Sequence, residues 1–354
     1  MNDDYQTLET QLENNTLQEK NIVLINEKTN INKDKRILNE INSKIKENFE
    51  LTEIIGIGSG TKIYRGLVKK SKKIISIKLF LKNNKKNKNN YNEIIISNKL
   101  KSNNIVNYYG SIIDDKIECM IIENGQYGNL KDFKIKILKK KYLSESLLCY
   151  IAYQILNGLK YIHLCKIAHF DLKPENIIIN EYMDVKIIDF SVSLNYKKLI
   201  KNDIKEIKTP FRGTCFYMSP QVLKNETINI NDLNKIDLYS LGVVLYYLAF
   251  NSMPFGLNKN DAKKYEIIYE KITKDLKFDE ESEYYYSSYF INFLKKLLEK
   301  DINKRINIQE AMNDYWIRGA EILINEKEKT NNATIFLSYL ITDHYKTFND
   351  YNKK

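Results

Sequence analysis

Proline, glycine, cysteine, histidine and tryptophan are all scarce in this chain of 354 residues: 4 Pro, 12 Gly, 4 Cys, 3 His and 1 Trp. So little proline and glycine excludes collagen-like repeats and proline-rich architectures. Cys119, Cys149, Cys165 and Cys215 lie far apart, with no Cys-x-x-Cys pair. With so few histidines this argues against a zinc site and fits a reducing compartment. Long apolar runs are missing too. The longest, Leu241–Phe250, is about half of what a bilayer span needs and reads as a buried helix. The N-terminus, Met1-Asn2-Asp3-Asp4, is acidic with no apolar stretch behind it, so no secretory leader is expected.

What is present is 43% hydrophobic and 29% charged residues, too apolar for a disordered chain. The length suggests two packed units or one large two-lobed domain. The net charge of +11 could attract nucleic acid or an anionic membrane. Much of it, however, sits in runs such as Lys69-Lys70, Lys72-Lys73 and Lys85-Lys86, mixed with Asn. These read as solvated loops, and no nucleic-acid partner is expected.

The texture changes along the chain. Residues 1–48 form a polar extension in which Ile37, Ile41 and Ile45 recur every four residues and predict a short amphipathic helix. From Phe49 to Glu123, β-branched runs at Leu51–Ile55, Lys62–Leu67, Ile74–Leu81 and Ile117–Ile122 predict antiparallel strands. One helix is expected near Tyr91–Leu100. Beyond Leu130 helices dominate: Ser144–His163 with Ser144 as N-cap, Asp237–Phe250 and Ile291–Glu299. Ile177–Ile179 and Val185–Ile188 predict a small hairpin.

Four sites follow in order. Gly56-Ile57-Gly58-Ser59-Gly60-Thr61 is a turn whose backbone N–H groups could meet phosphates, though alone it reads equally as a plain hairpin. Lys78 is a lone cation in a β-branched strand, costly if buried without a partner, and Glu93 on the next helix could supply one. Taken alone, Lys78 reads as readily as a surface lysine. His169-Phe170-Asp171-Leu172-Lys173-Pro174-Glu175-Asn176 brings together a base, a phosphate-binding cation and a metal-coordinating amide. Asp189-Phe190-Ser191 adds a carboxylate suited to magnesium.

This ordered set resembles the eukaryotic protein kinase family over about residues 49–318. Asn104-Ile105-Val106, Gly213-Thr214-Cys215-Phe216-Tyr217-Met218-Ser219-Pro220, Asp237–Gly242 and Arg305 extend the resemblance. It implies an α+β, two-lobed protein-kinase-like fold: a small β-rich N-lobe (49–123) and a larger α-helical C-lobe (124–318). A C-terminal tail, residues 319–354, is expected to be helical. ATP is implied in the cleft, with Ile55, Gly56, Gly58, Gly60, Ile63, Ser76, Lys78, Glu123, Gly125 and Ile178 as nucleotide contacts and Ile122 as gatekeeper. Asp171, Lys173, Lys78 and Glu93 are the implied catalytic residues; Asn176 and Asp189 are implied to hold Mg²⁺ or Mn²⁺. Lys173, two residues after Asp171, marks the serine/threonine type. The implied activity is phosphotransfer from ATP to serine or threonine hydroxyls of protein substrates. A kinase-like binding or scaffold module is the alternative. A regulatory partner at either extension and an intracellular location, cytoplasmic with the nucleus as the alternative, are also expected.

Five departures from the family pattern stand out. Thr61 replaces the third loop glycine, Phe170 the Arg of His-Arg-Asp, Ser191 the Gly of Asp-Phe-Gly and Gln221 the Glu that pairs with Arg305. Ser97 stands where a large apolar residue is usual. Phe170 removes the usual cation for an activation-segment phosphate. Thr209 is expected to remain available for phosphorylation, with Lys201, Lys205, Lys208 and Arg212 as substitute cations.

Overall fold

The structure, a computed structural model, describes residues 49–58, 60–81, 88–113, 118–138, 142–262, 264–278, 285–330 and 332–342. The helix expected around Ile37–Ile45 lies outside them. The chain divides into two compact units, one built from the residues up to Lys101 together with Val106–Gly125, the other from Ser102–Ile105 and everything from Gln126 on.

The first unit holds β1 (Phe49–Gly58), β2 (Thr61–Val68), β3 (Ile74–Phe80), helix α1 (Lys88–Lys99), β4 (Tyr108–Ile113) and β5 (Glu118–Glu123). The strands form one antiparallel sheet in the order β1-β2-β3-β5-β4. Its core is Leu51, Tyr64, Val68, Ile75, Ile77, Leu79, Cys119 and Ile121. Burying each of its leucine, isoleucine and valine side chains stabilises the fold by about 1.5–3 kcal/mol. Strand alternation sends Ile75, Ile77 and Leu79 to this core and Ser76 and Lys78 to the opposite face. The lysine-rich turn Lys69–Lys73 is fully exposed, as its composition predicts.

In the second unit, α2 (Glu145–Leu164) is capped by Ser144, whose hydroxyl accepts from Leu147 N at 3.4 Å. β6 (Ile177–Ile179) pairs with β7 (Val185–Ile187) as the expected hairpin. Asn104 ties the hairpin to α2: its Nδ2 donates to Gln154 Oε1 and Val185 O, and its carbonyl accepts from Ile187 N. Gly158 makes room for this, since a Cβ there would lie 2.9 Å from both Asn104 O and Ile187 Cδ1. β8 (Glu206–Lys208) pairs with β9 (Thr227–Asn229).

Helix α3 (Lys235–Phe250) contains the longest apolar run and is buried on all sides except at a few positions. Asn251, in the left-handed region at φ 55°, ends it. Buried Lys134 donates to the last-turn carbonyls of Tyr247 and Leu248. Helices α4 (Tyr265–Ile272) and α5 (Ser288–Leu297) follow. Helices α6 (Ala320–Thr330) and α7 (Ala333–Thr342) pack back on α2. Leu323, Phe336 and Leu340 are buried there, the Phe336 ring meets Tyr150 edge-on at 5.0 Å, and Ser144 Oγ donates to Leu340 O at 2.5 Å. Among the described residues no helix is long and apolar enough to cross a membrane.

Candidate functional site

In the first unit the hairpin between β1 and β2 carries the glycine-rich turn. Gly60 has φ 82°, and a Cβ on Gly58 would lie 2.6 Å from Thr61 Oγ1. The threonine at the departure from the three-glycine pattern is thus accommodated by the glycine three residues earlier. Ile55 is exposed on β1, beside a register shift, while neighbouring Ile54 packs on the core. Ile63 stands opposite Lys78, and Ser76 opposite Ile122. Lys78 Nζ donates to Glu93 Oε1 and Oε2 at 2.7 and 2.8 Å, both residues being buried. Such a pair persists in a desolvated place because each charge answers the other.

Two further polar groups share this unit. Ser76 Oγ donates to Asn124 Oδ1 at 3.1 Å, and Glu123 accepts from the backbone and side chain of Asn107. The unit ends at Gly125. Ser97 is buried on α1.

In the second unit Asp237, at the start of α3, organises the loop before β6. Its Oδ2 accepts from His169 N at 2.8 Å and faces His163 Nε2 at 2.8 Å, and its Oδ1 accepts from Phe170 N at 2.9 Å. Burial pushes the Asp237 carboxyl up, but the hydrogen bonds it accepts from His163 and from His169 N outweigh it and hold it below the usual carboxylate value. The loop is folded over this anchor. His169 Nδ1 accepts from Asp171 N, so its Nε2 carries the proton and donates to Ile188 O at 3.0 Å. Its ring meets buried Phe190 edge-on at 5.2 Å.

Asp171 is therefore held rigidly. Its Oδ2 accepts from Lys173 Nζ at 2.7 Å and from Asn176 Nδ2 at 3.0 Å. Its Oδ1 is buried and has no hydrogen-bond partner among the described residues. Lys173 Nζ also donates to Thr214 Oγ1 at 2.7 Å. Asn176 spends its Nδ2 on Asp171 O and Oδ2, which leaves its Oδ1 out of these bonds. Ile188 N donates to Asn176 O, so the residue before Asp189 is tied directly to Asn176. Asp189 has φ 66°, and its Oδ1 accepts from Ser191 N. Ile178 is buried on β6.

Hard oxygen donors from one carboxylate and one amide suit magnesium, which takes few protein ligands and completes its shell with phosphate and water. Among the described residues no group of three or more His, Cys, Asp and Glu is placed to hold a metal by itself. The Asn176 amide and the Asp189 carboxylate are donors of the kind such an ion takes.

The segment from Asp189 to Pro220 corrects one expectation. Thr209 is fully buried: its Oγ1 donates to Gln221 O at 2.9 Å, its N to Glu226 O at 2.8 Å, and its carbonyl accepts from Asn225. A hydroxyl committed inward is not an available modification site. The expectation rested on the place of Thr209 in the segment, and the burial comes with the pairing of β8 with β9.

Gln221 does replace the family's Glu without leaving Arg305 alone. Arg305 Nη2 donates to Gln221 Oε1 at 2.9 Å, Nε to Glu299 O at 2.7 Å and Nη1 to Lys235 O at 3.2 Å, with the Tyr239 ring 4.9 Å away. Burial lowers the Arg305 guanidinium to about 10, still charged at neutral pH. The anchoring role of Asp237, the bond of Asn124 to Ser76 and the contact of Arg212 with Phe170 are not expected from the sequence. Asp237 had a signal, as the one carboxylate in an otherwise apolar helix; the other two had none.

Comparison with known proteins agrees with this geometry. The family model of the protein kinase domain matches residues 49–317. The chain is 29% identical over 287 residues to MAP kinase kinase MKK1/SSP32 of Saccharomyces cerevisiae, covering 78% of this chain and 54% of that protein. It is 32% identical over 294 residues to serine/threonine-protein kinase dst2 of Dictyostelium discoideum (83% and 24%) and 30% over 297 residues to serine/threonine-protein kinase 36 of Mus musculus (83% and 21%). The chain thus spans about half the length of the first relative and a quarter or less of the others.

Proposed function

The chain belongs to the eukaryotic protein kinase family, and on that premise we propose that it transfers the γ-phosphate of ATP to serine or threonine hydroxyls of protein substrates. The observation that carries this reading is the division of labour within the Asp171 carboxylate. Oδ2 is fixed by Lys173 and Asn176, while Oδ1 is buried with no hydrogen-bond partner among the described residues. Once the Gly213 backbone beside it shifts to admit a substrate hydroxyl, Oδ1 would accept that hydroxyl's hydrogen bond and then its proton.

Lys173, held between Asp171 and Thr214, would steady the transferring phosphoryl group. Lys78, oriented by Glu93, would hold the nucleotide phosphates. Ile55, Gly56, Gly58, Gly60, Ile63, Ser76, Glu123, Gly125 and Ile178 are the proposed nucleotide contacts. Asn176 and Asp189 would hold Mg²⁺ or Mn²⁺, which when bound offsets the charge on the phosphates. Residues 49–318 are read as the catalytic unit, between extensions at 1–48 and 319–354 where a regulatory partner would act. The four cysteines carry no disulfide, which supports an intracellular setting.

Transfer of labelled phosphate to a basic protein substrate tests the reading. Asp171→Asn should lower turnover by roughly 10²–10⁴-fold with an unchanged melting temperature. Equal turnover in the two proteins would remove Asp171 from the chemistry.

A further inference from the structure

Three consecutive residues of the 189–220 segment grip the loop that carries Asp171. Thr214 takes the Lys173 ammonium. Gly213, at φ 100°, lies so close to the Phe170 carbonyl that a Cβ would sit 2.1 Å from its oxygen. The half-buried Arg212 places its guanidinium 5.7 Å from the centroid of the Phe170 ring and donates to Val192 O at 3.0 Å. Phe170 itself is buried in a cluster with Ala168, Tyr196 and Met218.

We infer that Arg212 on Phe170 is a built-in clasp that positions the segment against the Asp171 loop without a phosphate. The inference rests on the phosphotransfer reading for its effect on activity, not for its effect on structure. A cation would ordinarily be brought by the loop and an anion by the segment. Here the segment brings the cation and the loop offers the negative face of an aromatic ring. The rest of the segment is consistent with this. Lys208 pairs with Thr227 in the β8–β9 ladder, and Thr209 is sealed beneath it. Arg212, already engaged twice, is not a spare phosphate partner. It acts as a positioning residue, because it touches Phe170 and not the reacting groups.

The test uses the full chain, dephosphorylated and checked by mass spectrometry. Hydrogen exchange is followed over residues 194–214, and turnover is measured in parallel with ATP and a peptide substrate. In the wild-type protein the segment should be protected without phosphate. Arg212→Ala and Phe170→Leu, which keeps the apolar bulk but removes the ring, should each raise exchange there. Each should lower kcat about fivefold to tenfold with little change in the KM for ATP, the size expected for one partly desolvated cation–π contact. Their double variant should be no worse than Arg212→Ala alone. Arg212→Lys should recover most of the protection and turnover. Phe170→Arg, which sets two cations face to face, should be the most damaging, and Arg212→Ala should partly relieve it. Unchanged exchange in Arg212→Ala, or additive losses in the double variant, would overturn the clasp. Loss of protection in a wild-type protein stripped of phosphate would overturn it as well. A wild-type protein that shows the expected exchange pattern but no phosphotransfer would instead overturn the activity and leave the clasp standing.

Discussion

The charges that matter most in this protein sit where water does not reach them. Lys78 is the clearest case. Its ammonium is bonded to both oxygens of a carboxylate that is itself buried. Lys78→Met should abolish phosphotransfer, yet it also takes the ammonium from a desolvated Glu93, and one-sided removal of a buried pair costs on the order of 3–5 kcal/mol. The combined variant Lys78→Met with Glu93→Leu should therefore melt higher than Lys78→Met alone while remaining inactive. Thermal melts beside a phosphotransfer assay separate the two effects. A double variant no more stable than the single one would show that the pair carries no such strain when broken.

At the scale of elements, the helices and the hairpin were readable because burial imposes a period on the sequence. The 145–164 helix with its Ser144 cap, the β6–β7 hairpin and the apolar α3 all follow from that periodicity. Strand β4 was not read, because it is an edge strand half-buried along its length, with Gly110 in its middle and no alternation to betray it. The β8–β9 pair was equally silent, since Glu206–Lys208 is charged and largely exposed. The candidate site was legible to the degree that its members are polar residues in places that otherwise favour apolar ones. Lys78 in its β-branched strand is the nearest case, although alone it reads as readily as a surface lysine, and it is the ordered set of motifs that singles it out. Arg212 is not singled out, because an arginine in a polar segment gives no hint of the ring beneath it.

Helix α3 adds a pH dependence at this scale. Burial lowers Lys134, which closes its C-terminal end, to about 8 from an ordinary value of 10.5. Below pH 8 the folded and unfolded chains both hold the proton. Between about 8 and 10.5 only the unfolded chain does, so the contribution of Lys134 to stability rises with pH across that window. Denaturant unfolding at pH 7.5 and 9.5 should show Lys134→Met losing this part of the rise, and an identical pH profile in the variant would refute the assignment.

At the scale of the whole molecule, the family match stops at residue 317, but the packed core does not. Leu323, Phe336 and Leu340 complete the covering of α2. A chain ended after Gly319 should melt lower by at least about 5 °C, since three buried side chains contribute roughly 1.5–3 kcal/mol each before the entropy of ordering the two helices is subtracted. Differential scanning calorimetry would decide it; an unchanged melting temperature would make the two helices mere appendages.

That packing also sets a clock for synthesis. Ser144 and Leu340, joined by a hydrogen bond, are 196 residues apart in the chain. At about 5–20 residues per second, roughly 10–40 s pass on the ribosome between the making of one and of the other. Through that interval the nascent α2 carries an apolar flank, including Tyr150, that only the last helices will cover. A chaperone that holds apolar surface has its natural window there, and a message cut short upstream of residue 320 yields a product that keeps the flank open for as long as it survives.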